Sequence, residues 1–377
     1  MSEDDAYDYR SRELEDMSSR FFRLGDGRIS GYLSVLLGAS SLLAVLAFRY
    51  PQFLTTADLR AVYDVDVLRV ALRIGMWLAL CLGGLTFVLG RRRRLGTIGV
   101  LLTLVAFGLG GYRVEVGPVA PQQFAVGVDW LVIDLLLTGL LFITLEKLIP
   151  KYPGQAVLRP EWQTDLGYFA LNHLLVSLML IAGNGFAPAV FGWAVNAKLQ
   201  AFVQGLPFAA QLLLLLFCAD FVQYWIHRSF HEVPALWKVH AVHHSTEHMD
   251  WLAGSRNHLL NVTVERSLVM VPLYLLGPSL EALNAYVVFA ALQAVFIHAN
   301  VRIPFGPLKY LLATPQFHHW HHSSEKPAID TNYAVHLPLF DRLFGTYHMP
   351  MGLWPADYGT TKRLPRTFWA QLRYPFT

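Results

Sequence analysis

The chain is built from long apolar stretches parted by short polar ones. After a polar, mixed-charge start over residues 1–28, apolar runs occupy 30–48, 70–90, 95–112, 129–149, 168–190 and 206–226, with few charges or none inside them. A helix needs about 20 apolar residues to cross the hydrocarbon of a bilayer, and these runs reach that length. The pattern therefore predicts six membrane-spanning helices. A further apolar region at 266–298 is interrupted by "LLGPSL" at 275–280. Glycine and proline in its middle predict two short half-spans that dip in and return to the same side.

Composition supports an all-α, polytopic membrane bundle. Hydrophobic residues make up 54% and charged residues 15% of the chain, where soluble domains carry about 25% charged residues. A net charge of +3 with no basic, aromatic-interleaved patch excludes nucleic acid as a partner. Cys81 and Cys218 both fall inside predicted spans, so neither a disulfide framework nor a zinc knuckle is expected. Residues 1–28 lack the pattern of a cleavable signal and read as a polar cytoplasmic tail. The run "RRRR" at 91–94 places its loop in the cytoplasm by the positive-inside rule. Counting spans from there puts the N-terminus, Lys147, Lys151 and Arg159 inside, and everything from His227 onward emerges on that same side. Four regions follow: the tail 1–28, N-terminal spans 29–150 without an assigned role, a unit at 151–350, and a C-terminal tail 351–377.

The chemistry lies in the histidines. The chain has 15, and all except His173 fall between residues 227 and 348. The first segment, "HRSFH", sets His227 and His231 four apart on one helical face. Asp220 and Tyr224 share that face, and a carboxylate within a span needs a partner, which suggests that Asp220 accepts a hydrogen bond from a ligating imidazole. The second segment, "HAVHHS", carries His240, His243 and His244; the third, "HHWHHS", carries His318, His321 and His322 at the same H-x-x-H-H spacing. On a helix each triplet is expected to converge on one point. His298, in "FIHANVRIP", sits at the membrane-proximal end of the second half-span and could join them. His319 points elsewhere on its helix, and His173, His336 and His348 read as packing or surface residues. Trp225, Trp237 and Trp320 read as packing and interface anchors.

Eight histidines, or nine with His298, exceed what one tetrahedral zinc uses, so two metals are implied. Imidazole alone does not choose among zinc, copper, iron and nickel. A zinc-protease pattern fails, because Ala235 stands where "HEVPA" would need its second histidine. A four-helix carboxylate di-iron pattern fails for want of paired glutamates. What remains is a di-metal cage of neutral imidazoles at the cytoplasmic face, where a lipid tail and dioxygen can both arrive. Two irons there would suit oxidation of an unactivated C–H bond.

The order H-x-x-x-H, H-x-x-H-H, a membrane-proximal histidine, then H-x-x-H-H followed by "NYA" and "DRLFGTY" resembles the fatty acid hydroxylase and sterol desaturase superfamily of integral-membrane di-iron oxygenases. The resemblance covers about residues 160–350. The stretches "LWKVHAVHHSTE", "GPLKYLLATPQFHHWHH" and "DTNYAVHLPLFDRLFGTY" look most like its alkylglycerol monooxygenase branch and bacterial relatives. The resemblance implies that His227, His231, His240, His243, His244, His298, His318, His321 and His322 hold two iron ions, with zinc able to replace them in purified protein. It implies supporting roles for Asn332 and Asp341 in the tail motif. Asp220, Tyr224, Glu247, His258 and His319 complete the candidate supporting set. Where many members carry H-P-x-E, this chain has "HLLN" at His258, which argues against a sterol oxidase.

The expected activity is O2-dependent hydroxylation or monooxygenation of a membrane lipid, with ether lipids, acyl chains, amino-acid-containing lipids and sterol-like molecules as substrate classes. A desaturase would use the same cage. A metal sensor or transporter is disfavoured, because the histidines gather at one membrane face instead of spacing through the spans. The chain shows no flavin fingerprint, no cysteine set for an iron–sulfur cluster and no C-x-x-C-H, so electrons must come from a separate reductase, a small electron carrier or a reduced pterin.

Overall fold

The computed structural model describes residues 27–89, 92–119 and 124–377. The expected tail, up to Asp26, and Arg91 of the basic run lie outside the described residues. Among the described residues the protein is helical, with two isolated bridges and no strand. Its main helices are α1 (Arg28–Arg49), α2 (Val65–Leu89), α3 (Arg93–Gly108), α4 (Val128–Leu148), α5 (Trp162–Leu174), α6 (Val176–Phe191), α7 (Phe208–Glu232), α8 (Pro234–His244), α9 (Leu259–Leu276), α10 (Leu280–Phe296), α11 (Pro315–His321) and α12 (Leu339–Phe344). Seven are long and apolar enough to cross a membrane: α1, α2, α3 with its following turn, α4, α6 with its following turn, α7 and α9.

Two expectations change. The apolar run at 168–190 is not one helix: α5 ends at Leu174, and only α6 has the length and apolarity of a span. Helix α5 carries Asp165, Asn172 and His173, and its polar groups pair with Arg256, Asn257 and Asp134. The region 266–298 is a helical hairpin, not a pair of half-spans. Helix α9 starts at Leu259 and runs for 18 residues, about 27 Å at 1.5 Å per residue, close to the hydrocarbon thickness. Glu265 and Arg266 mask its first half in a hydropathy reading. In the fold the Glu265 carboxylate accepts a 3.1 Å hydrogen bond from Gln223 Nε2 on α7, so its charge is met inside the bundle. The hairpin turns where Gly277 adopts a left-handed φ of 54° and Ser279 caps α10.

Helices α1, α2 and α3 form an N-terminal bundle around Val45, Phe48, Leu72, Met76 and Ala106. Small residues let the backbones touch: a Cβ on Gly38 would lie 2.6 Å from the carbonyl oxygen of Gly99.

The remaining helices carry a polar cap. The 25 residues of α7 extend about 37 Å, more than the roughly 30 Å hydrocarbon needs, and His227 and His231 lie on its last two turns. The C-terminal ends of α4, α7 and α10 and the N-terminal ends of α5 and α9 meet at this cap. Glu146 at the end of α4 accepts hydrogen bonds from the backbone N–H of Trp251 (2.7 Å) and Asn300 (2.9 Å). Behind the cap, Arg159 pairs with Asp165 at 2.7 Å and Asp250 at 2.8 Å, and Arg256 pairs with Asp165 and Glu161. These charges are buried, and removing one partner of such a set costs about 3–5 kcal/mol because it strands the other. The segment 351–377 packs onto the cap: Tyr358 meets His319 at 2.9 Å, and Lys238 reaches the Thr377 carbonyl at 2.7 Å.

Candidate metal centre

The nine histidines of the three segments and His298 come together in two groups. His227, His231, His240, His244 and His321 form one, and His243, His298, His318 and His322 the other; within each, the candidate ligand atoms lie within 4.8 Å of one another. The expectation that each H-x-x-H-H triplet converges on one point is corrected here. Helix α8 sends His240 and His244 to the group of five and His243 to the group of four; α11 and the His322 that ends it send His318 and His322 to the group of four and His321 to the group of five. The helical repeat explains the split. Positions i and i+4 differ by about 40° around the axis, whereas i+3 stands about 100° from i+4. One triplet therefore serves two centres.

The hydrogen bonds fix which nitrogen faces inward. Nδ1–H donates to a carbonyl or amide oxygen from His227 (Tyr333 O, 2.7 Å), His240 (Asn261 Oδ1, 3.0 Å), His243 (Arg256 O, 3.1 Å), His298 (Ala294 O, 2.7 Å) and His321 (Thr331 O, 2.8 Å). Each of these rings is thereby left with a lone pair on Nε2. Yet Nε2 of His227 lies 3.0 Å from Nε2 of His240, and Nε2 of His243 lies 3.1 Å from Nε2 of His298. Two lone pairs facing at that distance repel unless a cation lies between them. Two nitrogens about 2.1 Å from one metal at a right angle would be about 3.0 Å apart. Nε2 of His231, His244 and His321 is buried with no hydrogen-bond partner, which is the condition of an unmet ligand. The donor set fits metal ions. Burial, reinforced by neighbouring imidazoles, pushes His240, His243, His244, His318, His321 and His322 well below the usual histidine range, and burial brings His298 down to about 4. All seven are thus neutral at pH 7, the form that binds metal.

Comparisons with known proteins agree with this geometry. The family model for fatty acid hydroxylase matches residues 212–346. The ornithine lipid hydroxylase OlsE of Rhizobium tropici is 31% identical over 251 residues, covering 66% of this chain and 76% of the relative. This chain belongs to the fatty acid hydroxylase family. Human alkylglycerol monooxygenase is 34% identical over 128 residues, covering 34% of this chain and 28% of that protein. A very-long-chain aldehyde decarbonylase of Oryza sativa is 28% identical over 138 residues, covering 34% of the chain and 21% of that protein. No solved structure matches the chain. Family membership and the seven apolar helices make this an integral membrane protein that carries a hydroxylase fold.

In this member of the family one loop, residues 330–337, supports much of the group of five. Asp330, Thr331 and Tyr333 supply the outer partners of His231, His321 and His227. Asp220 holds the same loop rather than an imidazole, correcting that expectation: its carboxylate accepts the N–H groups of Val335 (3.0 Å), His336 (3.0 Å) and Leu337 (2.6 Å). The segment just before α12 brings those three donors together, so the buried charge is met by backbone. Asp341 accepts from the N–H of Tyr333 (2.8 Å) and Ala334 (2.9 Å), and Asn332 ties Phe317 to His348 across the loop. Tyr224 reaches Thr346 at 3.0 Å and packs on Tyr333. His319 stays outside both groups as a strut, 3.3 Å from the carbonyl oxygen of His298. His258 caps α9 and donates to Leu372 O at 3.1 Å, and Glu247 lies 3.7 Å from Arg366; neither belongs to a group.

Sequence reasoning missed Asp330, Asn261, Arg256 and Gly254. Arg256 acts through its backbone carbonyl and Gly254 by being small, and neither leaves a motif. A Cβ on Gly254 would stand 3.0 Å from His298 Nδ1 and 3.3 Å from the Ala294 carbonyl, inside the hydrogen bond that orients His298. Gly254→Ala is expected to displace that ring and weaken metal binding at the group of four by about 10–100-fold, the usual cost of losing an outer partner. Metal analysis of the purified variant checks this; wild-type content after dialysis against a chelator would refute it.

Proposed function

We propose that this protein is an O2-dependent di-iron oxygenase that hydroxylates a C–H bond of a membrane lipid. The observation that carries the reading is the pair of buried histidine groups with facing lone pairs, set where α7 leaves the apolar slab. The nine histidines are the proposed ligands, and iron bound there would supply dioxygen activation. In the overall reaction R–H, O2, two electrons and two protons give R–OH and water, so the protein needs a separate electron donor.

The chain's own residues hold the rings, keep them neutral and exclude water. An apolar cavity of about 420 Å³ between α7 and α9 is lined by Phe221, Ile226, Phe230, Val264, Leu268 and Val271. Its Phe230 wall lies 5.7 Å from the His240 ring, centre to centre, which suits an acyl chain arriving from the bilayer. The relatives, an ornithine lipid hydroxylase and an alkylglycerol monooxygenase, support the lipid class. We assign the catalytic unit to residues 151–350, with the cap on the cytoplasmic side where an electron donor can dock.

Mass spectrometry of membrane lipids from aerobic cells with and without the gene tests this. A lipid lost on deletion should be one oxygen heavier than the species that accumulates. A difference of two hydrogens would instead mean desaturation, and an unchanged lipidome with metal-free purified protein would sink the reading.

A further inference from the structure

The two groups differ in how they meet solvent. Of the nine histidines, His231 is the one not fully buried as a residue. Its ring nevertheless faces inward: the side chain is 3% exposed, and its Nε2 has no partner. Its outer nitrogen is held by a carboxylate, with Nδ1–H donating to Asp330 Oδ1 at 3.1 Å, and Asp330 is 55% exposed. The outer partners of His227, His240, His243, His298 and His321 are instead uncharged carbonyl or amide oxygens. Beside Asp330, Glu232 lies one residue past His231, paired with Arg228 at 2.7 Å. One exposed anion thus sits directly on one ligand of an otherwise closed cage.

We propose that Asp330 is the metal-uptake and positioning carboxylate of the group of five: a divalent cation approaches from solvent at this edge, and Asp330 both attracts it and aims His231 at it. The inference rests on the two-metal reading above. An exposed carboxylate raises the local concentration of a cation and hence its rate of capture, an effect that salt screens. A carboxylate on the far nitrogen also makes an imidazole a stronger donor than a carbonyl does. Asp330 has a φ of 59°, a conformation that asparagine adopts readily, so Asp330→Asn removes the charge while keeping an acceptor and the backbone.

The test is uptake of Co2+ by chelator-stripped protein in detergent, followed by the absorption that imidazole ligation gives the ion. Wild-type protein should take up two equivalents, one of them more slowly as salt rises. In Asp330→Asn that equivalent should load about tenfold more slowly at low salt, with the gap narrowing at high salt. Glu281→Gln, the same charge change at the start of α10 and at the opposite end of the hairpin from the cap, should behave as wild type. Asp330→Asn loading at the wild-type rate at every salt concentration, with two equivalents bound, would overturn this proposal and leave the two-metal reading intact. Wild-type protein that takes up no cobalt would overturn both.

Discussion

His321→Ala should lose more than about 100-fold in turnover and at least one metal ion per chain, and His243→Ala should do the same from the other group. The two residues sample the two groups: Nε2 of His321 is an orphan among five histidines, and Nε2 of His243 faces that of His298 at 3.1 Å. Each ring is anchored behind, by Thr331 O and Arg256 O. Alanine therefore removes a pre-aimed ligand, a larger loss than the 10–100-fold that outer partners carry. The fold should survive. The apolar helices that insert the chain do not depend on these rings, and trimming an imidazole from a cluster of neutral lone pairs relieves repulsion in the metal-free protein. Membrane fractionation, metal content and product formation, measured on one preparation, check the three parts together. Oxygenase activity retained in either variant would refute the cage.

Asp220→Ala should lower the stability of the cap by about 3–6 kcal/mol and take most of the activity with it. Its carboxylate is fully buried and accepts three backbone N–H groups from consecutive residues. Each donor left unpaired costs about 1–3 kcal/mol. The damage then spreads along the loop, because residues 330, 331 and 333 hold three rings of the group of five. Asp220→Asn should fall between, since the amide keeps one oxygen for Val335 and His336 but presents an N–H to that of Leu337. Thermal unfolding in detergent, read alongside metal content, separates the variants. An alanine variant that melts with wild type would show that the clamp contributes nothing.

The helices were legible because a 20-residue apolar run has few alternatives in a bilayer, and the two H-x-x-H-H segments because spacing on a helix is geometry. The misreadings have specific causes. Glu265 and Arg266 hid the start of α9, since hydropathy counts a charge without knowing that Gln223 will face it. Helix α5 was misread for a related reason: the partners of its polar groups, Asp134 for His173 and Arg256 for Asp165, are far away in the chain.

For the site, the sequence by itself determined which nine imidazoles were candidates, because ligand chemistry belongs to side chains and the spacing of histidines is written in the chain. It did not determine how they divide. The sharing of each triplet between two groups depends on where α7, α8, α10 and α11 lie around one another. The aim of His321, His227, His298 and His243 depends on backbone carbonyls at Thr331, Tyr333, Ala294 and Arg256, and every residue has a carbonyl, so sequence gives no mark of which ones will serve. Only the tertiary structure decides that, by bringing an oxygen to the outer nitrogen of six of the nine rings and so turning their lone pairs inward.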